Sequence, residues 1–575
     1  MKQTIIQGRN PIIPSDFPDP CIIRVDDIYY MVSTTMHFFP GASILRSFDL
    51  VQWEFVGHVY DELDASNGQK LNEATIYGQG MWAPSFVYHD GCYYLLFSAN
   101  DTKKTYLFKA THPAGPWTKH DIEGFYHDAS LIFEGPSAYL VYGNHSIYLV
   151  ELNEQLTAAK EGANPMLIVR DDEGIRLGYE GAHLLKHEGQ FYLFLINWAS
   201  GEEGKRNAWC FVASDIKGPY YGKCIVNDDL DYPQQGIAQG AMIDTPDGSW
   251  YLYLFQDRGA LGRVPIVIPM EFEDIDNDVS GVLRPGIVEQ DWSSSRDKLQ
   301  DESYIQVHEM PTHTQRTEEG MNKQYIPTNG NIMNREVYKL PRVKDGKVPQ
   351  VLKTQSSKAE HAYTALYGNA FVDSNGKLSP YWQFNHQADP HHYSFDPSGY
   401  GYEITSAELS PTLIHSKNTL TQRTIGPICS GTVTLDASSL LDGDYMGLAC
   451  LQGCYAAVAI TKEEDDYYLV MMSRTYEGMG TMGHVYDYET PEIVEKIRID
   501  VPILRVSSYC SFSPGEDWTE FSYEADGITH SIGLRHHLYF KLDHFVGCRY
   551  ALFYYATRHI GGTARFTDFS LIPKP

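Results

Sequence analysis

A short unit that recurs five times in the first 260 residues limits the folds open to this chain more than any other feature. Each copy opens on a polar or aromatic residue, runs through a few mostly apolar positions to a Gly or Asp turn, and ends in an aromatic strand. Asp19, in Phe17-Pro18-Asp19-Pro20, leads to Asp26-Asp27 and then Tyr29-Tyr30-Met31-Val32. Trp82 leads to His89-Asp90-Gly91 and Tyr93-Tyr94-Leu95, and Asp128 leads to Glu134-Gly135 and Tyr139-Leu140-Val141. Glu180 leads to His187-Glu188-Gly189 and Phe191-Tyr192-Leu193, and Gln239 leads to Pro246-Asp247-Gly248 and Trp250-Tyr251-Leu252. The leading residues stand about 45 to 65 residues apart, and the aromatic strand opens roughly 10 or 11 residues after each. A strand, a tight turn and a second strand repeating at that period predict the blades of a β-propeller, here five of them.

This geometry gives the leading residues their meaning. The innermost strands of a propeller run side by side around a central channel, so their corresponding ends meet near the axis. Asp19, Asp128 and Glu180 are then carboxylates from three blades brought to one place, with Trp82 and Gln239 supplied by the other two. The prolines flanking Asp19 favour extended backbone there. Gathering three carboxylates costs repulsion and desolvation, which marks the place as a candidate site.

Beyond Asp291-Trp292 the unit stops. Residues 301–350 are polar and aperiodic, as in His313-Thr314-Gln315-Arg316-Thr317-Glu318-Glu319, and read as a linker or lashing segment. Residues 351–575 return to strands of another style, longer and alternating, such as Gly431-Thr432-Val433-Thr434-Leu435 and Tyr467-Tyr468-Leu469-Val470-Met471-Met472. These predict a β-sandwich. The expected architecture is therefore all-β: a five-bladed propeller over 1–300, then the linker, then the sandwich.

Bulk composition narrows the partners. A length of 575 residues suggests two large domains. The formal net charge of −29 argues against nucleic acid and anionic membranes. No stretch has the apolar length of a membrane span, and the start, Met1 to Gly8, lacks the apolar core of a secretory signal. Nine cysteines, an odd number without paired metal spacing, fit free thiols in a cytoplasmic protein, and Cys450 and Cys454 stand too isolated to suggest zinc. Self-association into a homo-oligomer is left open.

Two carboxylates across a sugar-sized gap are what glycoside hydrolysis needs, one protonated to assist the leaving oxygen and one ionised to activate water or attack. A third carboxylate near the acid raises its pKa by like-charge repulsion. Asp19, Asp128 and Glu180 fill these roles in an order the residues alone leave open. The same oxygens could instead line a calcium site, but Trp82 beside them favours a sugar platform. Among other candidates, the loop Met36-His37-Phe38-Phe39-Pro40-Gly41 is expected to line the pocket, with Phe39 contacting substrate, and Arg258 to form a structural salt bridge.

Phe-Pro-Asp-Pro at Asp19, Met-Trp-Ala-Pro at Trp82, His-Asp-Ala-Ser at Asp128 and Tyr-Glu-Gly-Ala-His at Glu180 resemble the inner-strand motifs of glycoside hydrolase family 43. Phe255 to Arg263, Trp382-Gln383-Phe384-Asn385-His386 and Thr421-Gln422-Arg423-Thr424 resemble its β-xylosidase-type subgroup, which implies that the C-terminal sandwich is concanavalin-like. The resemblance implies an inverting mechanism with Asp19 as general base, Glu180 as general acid and Asp128 tuning and orienting the acid. It implies that Arg263 holds hydroxyls of the terminal sugar. Many relatives carry a histidine where this chain has Gln239, sometimes beside calcium; a neutral amide is a poorer anchor, so no metal or other cofactor is expected to be required. The expected activity is release of xylose from the non-reducing end of β-1,4-xylo-oligosaccharides. α-L-Arabinofuranosidase action on arabinosyl-oligosaccharides is the alternative, and a non-catalytic carbohydrate-binding propeller is the alternative from another class. Exo-action calls for a blind pocket, so a loop from beyond residue 380 is expected to reach over the propeller face.

Overall fold

The hairpin turns of the recurring unit set the fold. Val25 pairs with Ile28, His89 with Cys92, Glu134 with Ser137 and His187 with Gln190, so two residues make each turn. Asp26, Asp90, Gly91, Gly135, Glu188 and Gly189 in those turns have positive φ, as the tight turns that match strand twist require. The computed structural model of the chain describes residues 4–171, 177–198, 204–275, 284–285, 338–356, 358, 360–478, 480 and 490–574.

Five antiparallel sheets follow in chain order, each with its strands in sequence order from the axis outward. Blade one comprises Cys21–Val25, Ile28–Ser33, Gly41–Ser47 and Glu54–Tyr60. The inner strands of the next four are Ser85–His89, Ser130–Glu134, Leu177–His187 and Ile237–Asp244. Apolar faces pack blade on blade. Tyr30, Tyr60, Tyr93, Phe97 and Phe108 fill the space between blades one and two, and a separate core of blades four, five and one closes the ring. Aromatics leading into the outer strands take part: Trp53 and Tyr220 are buried, and the Trp117 ring lies 6.3 Å from that of Phe86.

The stretch expected to be a linker differs in part. Tyr338–Val343 pairs with Met270 to Ile275 and is the outermost strand of blade five. The remainder of the expected linker up to residue 337, including His313 to Glu319, lies outside the described residues. Val351–Ser356 is not a sandwich strand either; it pairs with Thr4–Arg9 in a separate two-stranded sheet. The reason is edge satisfaction. The strand Arg263–Ile275 would present unpaired backbone along its outer side. Tyr338–Val343 covers its second half, and residues 10–17 cover its first half, with Phe17 N donating to Arg263 O (3.0 Å), Ile12 N to Pro265 O (3.0 Å) and the Asn10 amide bracketing Val267. The chain's beginning thus locks blade five to blade one.

Two seven-stranded antiparallel sheets form the sandwich. Strands such as Ile428–Asp436 alternate buried and half-buried residues along their length, the period-two pattern of a strand with one face in a core. The domain sits directly against the propeller. Phe39 and Phe384 exchange backbone hydrogen bonds (3.0 and 2.6 Å), Gln383 Nε2 donates to Pro40 O, and Tyr77 Oη donates to Ile414 O. Asp16 ties the two domains together: Oδ1 accepts from Arg263 N (2.8 Å), Oδ2 from Gly547 N (2.9 Å), and its carbonyl from Arg423 Nε (2.7 Å).

Asp16→Ala leaves two buried N–H groups without acceptors, at about 1–3 kcal/mol each. Chemical denaturation should show loss of stability of that order, with the propeller and sandwich transitions drawn apart, whereas Asp16→Asn should lose less because its amide oxygen still accepts one bond.

Candidate active site

Asp19, Asp128, Glu180 and Gln239 reach the axis through irregular starts to their inner strands. Asp19, Asp128 and Gln239 have φ of 50°, 46° and 47°, in the left-handed region, and the ladders are interrupted beside Glu180 and between Ala238 and Gly240. Extended backbone at Asp19 was the expectation from its flanking prolines. The left-handed conformation is adopted instead, a local strain of the kind held at functional sites by surrounding structure. It turns the side chain out of the strand's alternation and toward the axis. Gly181 follows Glu180 with φ 68°, and a Cβ there would lie 2.8 Å from Cδ of Gln239. Only glycine lets blades four and five approach so closely.

Asp19 is buried. Its Oδ1 accepts from Arg263 Nη1 and its Oδ2 from Thr34 Oγ1, at 2.8 and 2.7 Å. Glu180 Oε2 accepts from Asn144 Nδ2 at 2.5 Å and lies 3.2 Å from His127 Nε2. The same nitrogen is 3.8 Å from Asp128 Oδ2. Arg206 faces Glu180 from the third strand of blade four and pairs with Asp257 of blade five at 3.2 Å. Acidic and basic groups therefore alternate around the axis, which offsets the repulsion that gathering the carboxylates creates.

Burial pushes the Asp128 carboxyl up to about 7; His127 and Arg263 oppose this, while Glu180 and Asp19 add to it. For His127 burial alone would lower the imidazole, but the charge of Asp128 and the bond to Glu180 outweigh it and raise the pKa to about 9. Glu180 is held below the usual carboxylate range, because His127, Arg206 and the Asn144 bond overcome a burial cost that acts the other way. The expectation that Asp128 raises Glu180 thus meets a different distribution in the free chain: the high carboxyl is Asp128, since His127 carries a proton against Glu180. Groups this close titrate as one unit.

Trp82 presents its indole edge-to-face to His127, with ring centroids 5.6 Å apart. Phe545, from the sandwich, lies 6.4 Å from Trp82 and 4.6 Å over the Arg263 guanidinium. A loop from beyond residue 380 does reach the propeller's site. Gln239 is buried with Nε2 lacking a partner among the described residues. Arg263 is buried beside Asp19. Phe39 differs from expectation: its ring is buried in the core of blades one and two, edge-on to Tyr60 at 5.9 Å. Its neighbour Phe38 turns the other way and packs with Met36, Val546, Trp82 and Phe545. A turn closed by Phe38 N donating to Thr35 O (3.1 Å) precedes Phe39, and the backbone pairing of Phe39 with Phe384 fixes which ring goes to which side. Arg258 bonds Gln256 and stacks on Tyr232 rather than on a carboxylate.

His127, Asn144, Arg206, Asp257 and Phe545 were not singled out from sequence. His127 stood inside the quoted His-Asp-Ala-Ser motif and Asp257 inside the quoted Phe255 to Arg263 stretch; Asn144 and Arg206 follow the leading residues of blades three and four without a motif, and Phe545 comes from the sandwich. His127, Asp128 and Glu180 place one donor atom each within 4.8 Å of one another. One of the three is an imidazole nitrogen already engaged by Glu180, whereas calcium takes oxygen ligands, so the set does not fit that ion.

Residues 8–275 match the family described as Glycosyl hydrolases family 43, and residues 373–571 match the Beta xylosidase C-terminal Concanavalin A-like domain. The propeller, residues 8–275, belongs to glycoside hydrolase family 43. A Formosa agariphila protein named beta-xylosidase is 26% identical over 313 residues, covering 48% of this chain and 52% of its own. A Bacteroides ovatus protein named non-reducing end alpha-L-arabinofuranosidase is 28% identical over 279 residues, covering 44% and 49%. The solved structure of a protein described as a bifunctional GH43-CE from Bacteroides eggerthii is 31% identical with a TM-score of 0.79, over 100% of this chain and 64% of that one. The chain thus spans about half the length of these curated relatives.

A raised His127 pKa contributes stability that is fully present below its unfolded value of 6.5 and is lost as pH rises through about 9. Denaturation of the wild type and of His127→Gln at pH 6.5 and 9.5 should show an alkaline loss in the wild type that is smaller in the variant.

Proposed function

We propose that the chain is an exo-acting glycoside hydrolase releasing xylose from the non-reducing end of β-1,4-xylo-oligosaccharides with inversion at the anomeric carbon. What supports this most is the meeting of Asp19 with the Asp128–His127–Glu180 cluster, since their charges act on one another. It lies beside the Trp82 and Phe545 rings, which suit the faces of a sugar. The relatives' names favour a pentose. A propeller that only bound carbohydrate would have no use for carboxylates buried against their own repulsion.

The bonds on each group fit the roles. Asp19 accepts from Thr34 and Arg263 and is the base that takes a proton from the attacking water. His127 and Asn144 both approach Oε2 of Glu180, so Oε1 is the atom assigned to protonate the leaving oxygen. Asp128, 3.8 Å from His127, tunes the acid side. The C1–O bond breaks as water oxygen bonds C1 from the opposite face. α-L-Arabinofuranoside hydrolysis is the second reading, favoured by the name of the Bacteroides ovatus relative.

Leaving-group dependence tests the assignment. Glu180→Ala should slow xylobiose cleavage by about 10²–10⁴ and spare an activated aryl β-xyloside by comparison, because a low-pKa leaving group departs with little protonation. Asp19→Ala should slow both alike. Retained anomeric configuration in the product by NMR, or an Asp19→Ala variant keeping most aryl activity, would overturn the roles; faster turnover of aryl α-arabinofuranoside than of aryl β-xyloside would favour the second reading.

A further inference from the structure

We infer that His127 is the positioning residue of the acid carboxylate: its Nε2 pins Oε2 of Glu180, and the two groups hold between them the proton that the leaving oxygen receives. This rests on the hydrolase reading above. The geometry is specific. His127 is buried, its ring is set edge-on by Trp82, and Nε2 lies 3.2 Å from Glu180 and 3.8 Å from Asp128. Asn144 approaches the same Oε2 at 2.5 Å, so two donors crowd one carboxylate oxygen and leave the other turned away from them. An amide would suffice to orient a carboxylate. A second donor that can itself carry a titratable proton adds a store.

The surroundings of the ring support the store. Asp128, on its own segment, and Glu180, across from blade four, are the anionic neighbours. Lys103 from blade two opposes them, Asp19 and Arg263 face Asp128 from blades one and five, and Arg206 faces Glu180. The two adjacent carboxylates outweigh burial and the lysine, and the imidazole pKa rises to about 9. One proton therefore stays in the Glu180–His127 pair across the neutral range, either on the imidazole against a carboxylate or on Oε1 of Glu180 with Nε2–H of the neutral ring still donating to Oε2, the two forms exchanging through solvent. In the reaction that proton passes to the leaving oxygen as its bond to C1 breaks. Water supplies the new C1–O bond and gives a proton to Asp19. Solvent then takes the proton from Asp19 and returns one to the pair, so protons balance over the turnover.

His127→Gln and His127→Phe separate orientation from storage. Glutamine can still donate an N–H toward Oε2 but holds no titratable proton, and phenylalanine keeps the ring beside Trp82 with neither function. On xylobiose the glutamine variant should lose about tenfold at acid pH and about 10²-fold or more above pH 8, its alkaline limb of kcat/KM moving down by about one unit, with the activated aryl xyloside much less affected. The phenylalanine variant should be slow on xylobiose at every pH. Equal losses on both substrates, or an unmoved alkaline limb in the glutamine variant, would reduce His127 to packing. Histidine side-chain ¹⁵N NMR gives a readout independent of turnover: Glu180→Gln should lower the His127 pKa by about one unit or more, and an unchanged value would overturn the shared proton. Glu180→Ala run on both substrates shows separately whether the hydrolase reading itself fails.

Discussion

The ion pair between Asp19 and Arg263 carries a constraint on which the rest of the site depends. A five-bladed ring brings the starts of five strands together, and three of those starts bear carboxylates. Left unanswered, such a gathering would be expelled to solvent or neutralised. Arg263 answers Asp19, His127 stands between Glu180 and Asp128, and Arg206 joins Asp257 beside them. The alternation lets each carboxyl sit in a different electrostatic setting within one small volume, and different settings are what allow one acid group to accept a proton while another gives one.

Arg263 also shows why the propeller and sandwich act as one body at this point. Its backbone N–H is held by Asp16, which in turn holds Gly547, and two residues before Gly547 stands Phe545, stacked on the Arg263 side chain. The ring contributed by the sandwich is thus tied to the basic group contributed by blade five through a single buried carboxylate. Closure of the propeller, docking of the second domain and positioning of an aromatic wall at the site share the same few atoms.

The backbone contributes as directly as the charges do. Left-handed conformations at Asp19, Asp128 and Gln239 and the glycine after Glu180 occur at equivalent places in four of the blades. Each departs from the regular strand where a side chain must leave the sheet for the axis. Blade packing, with apolar faces interleaved from Tyr30 to Phe108 and again around the closure, supplies the stability that sustains these local strains.

By itself the sequence determined the recurring unit, its period, the turn residues that need positive φ, and hence the five blades, the carboxylates at their heads and the change to a sandwich. These are local or periodic properties, written in neighbouring residues. Only the tertiary structure decided that Phe38 rather than Phe39 faces the site, because a pairing with Phe384, far along the chain, fixes which side of that segment is buried. It decided likewise that Tyr338–Val343 belongs to blade five, since an exposed strand edge takes whatever segment can reach it. Phe545 joins the site from the sandwich, and Arg206 and Asn144 from later in blades four and three, with no shared motif. The proton balance among Asp128, His127 and Glu180 follows from burial and separations of 3 to 4 Å, quantities that no spacing along a chain contains.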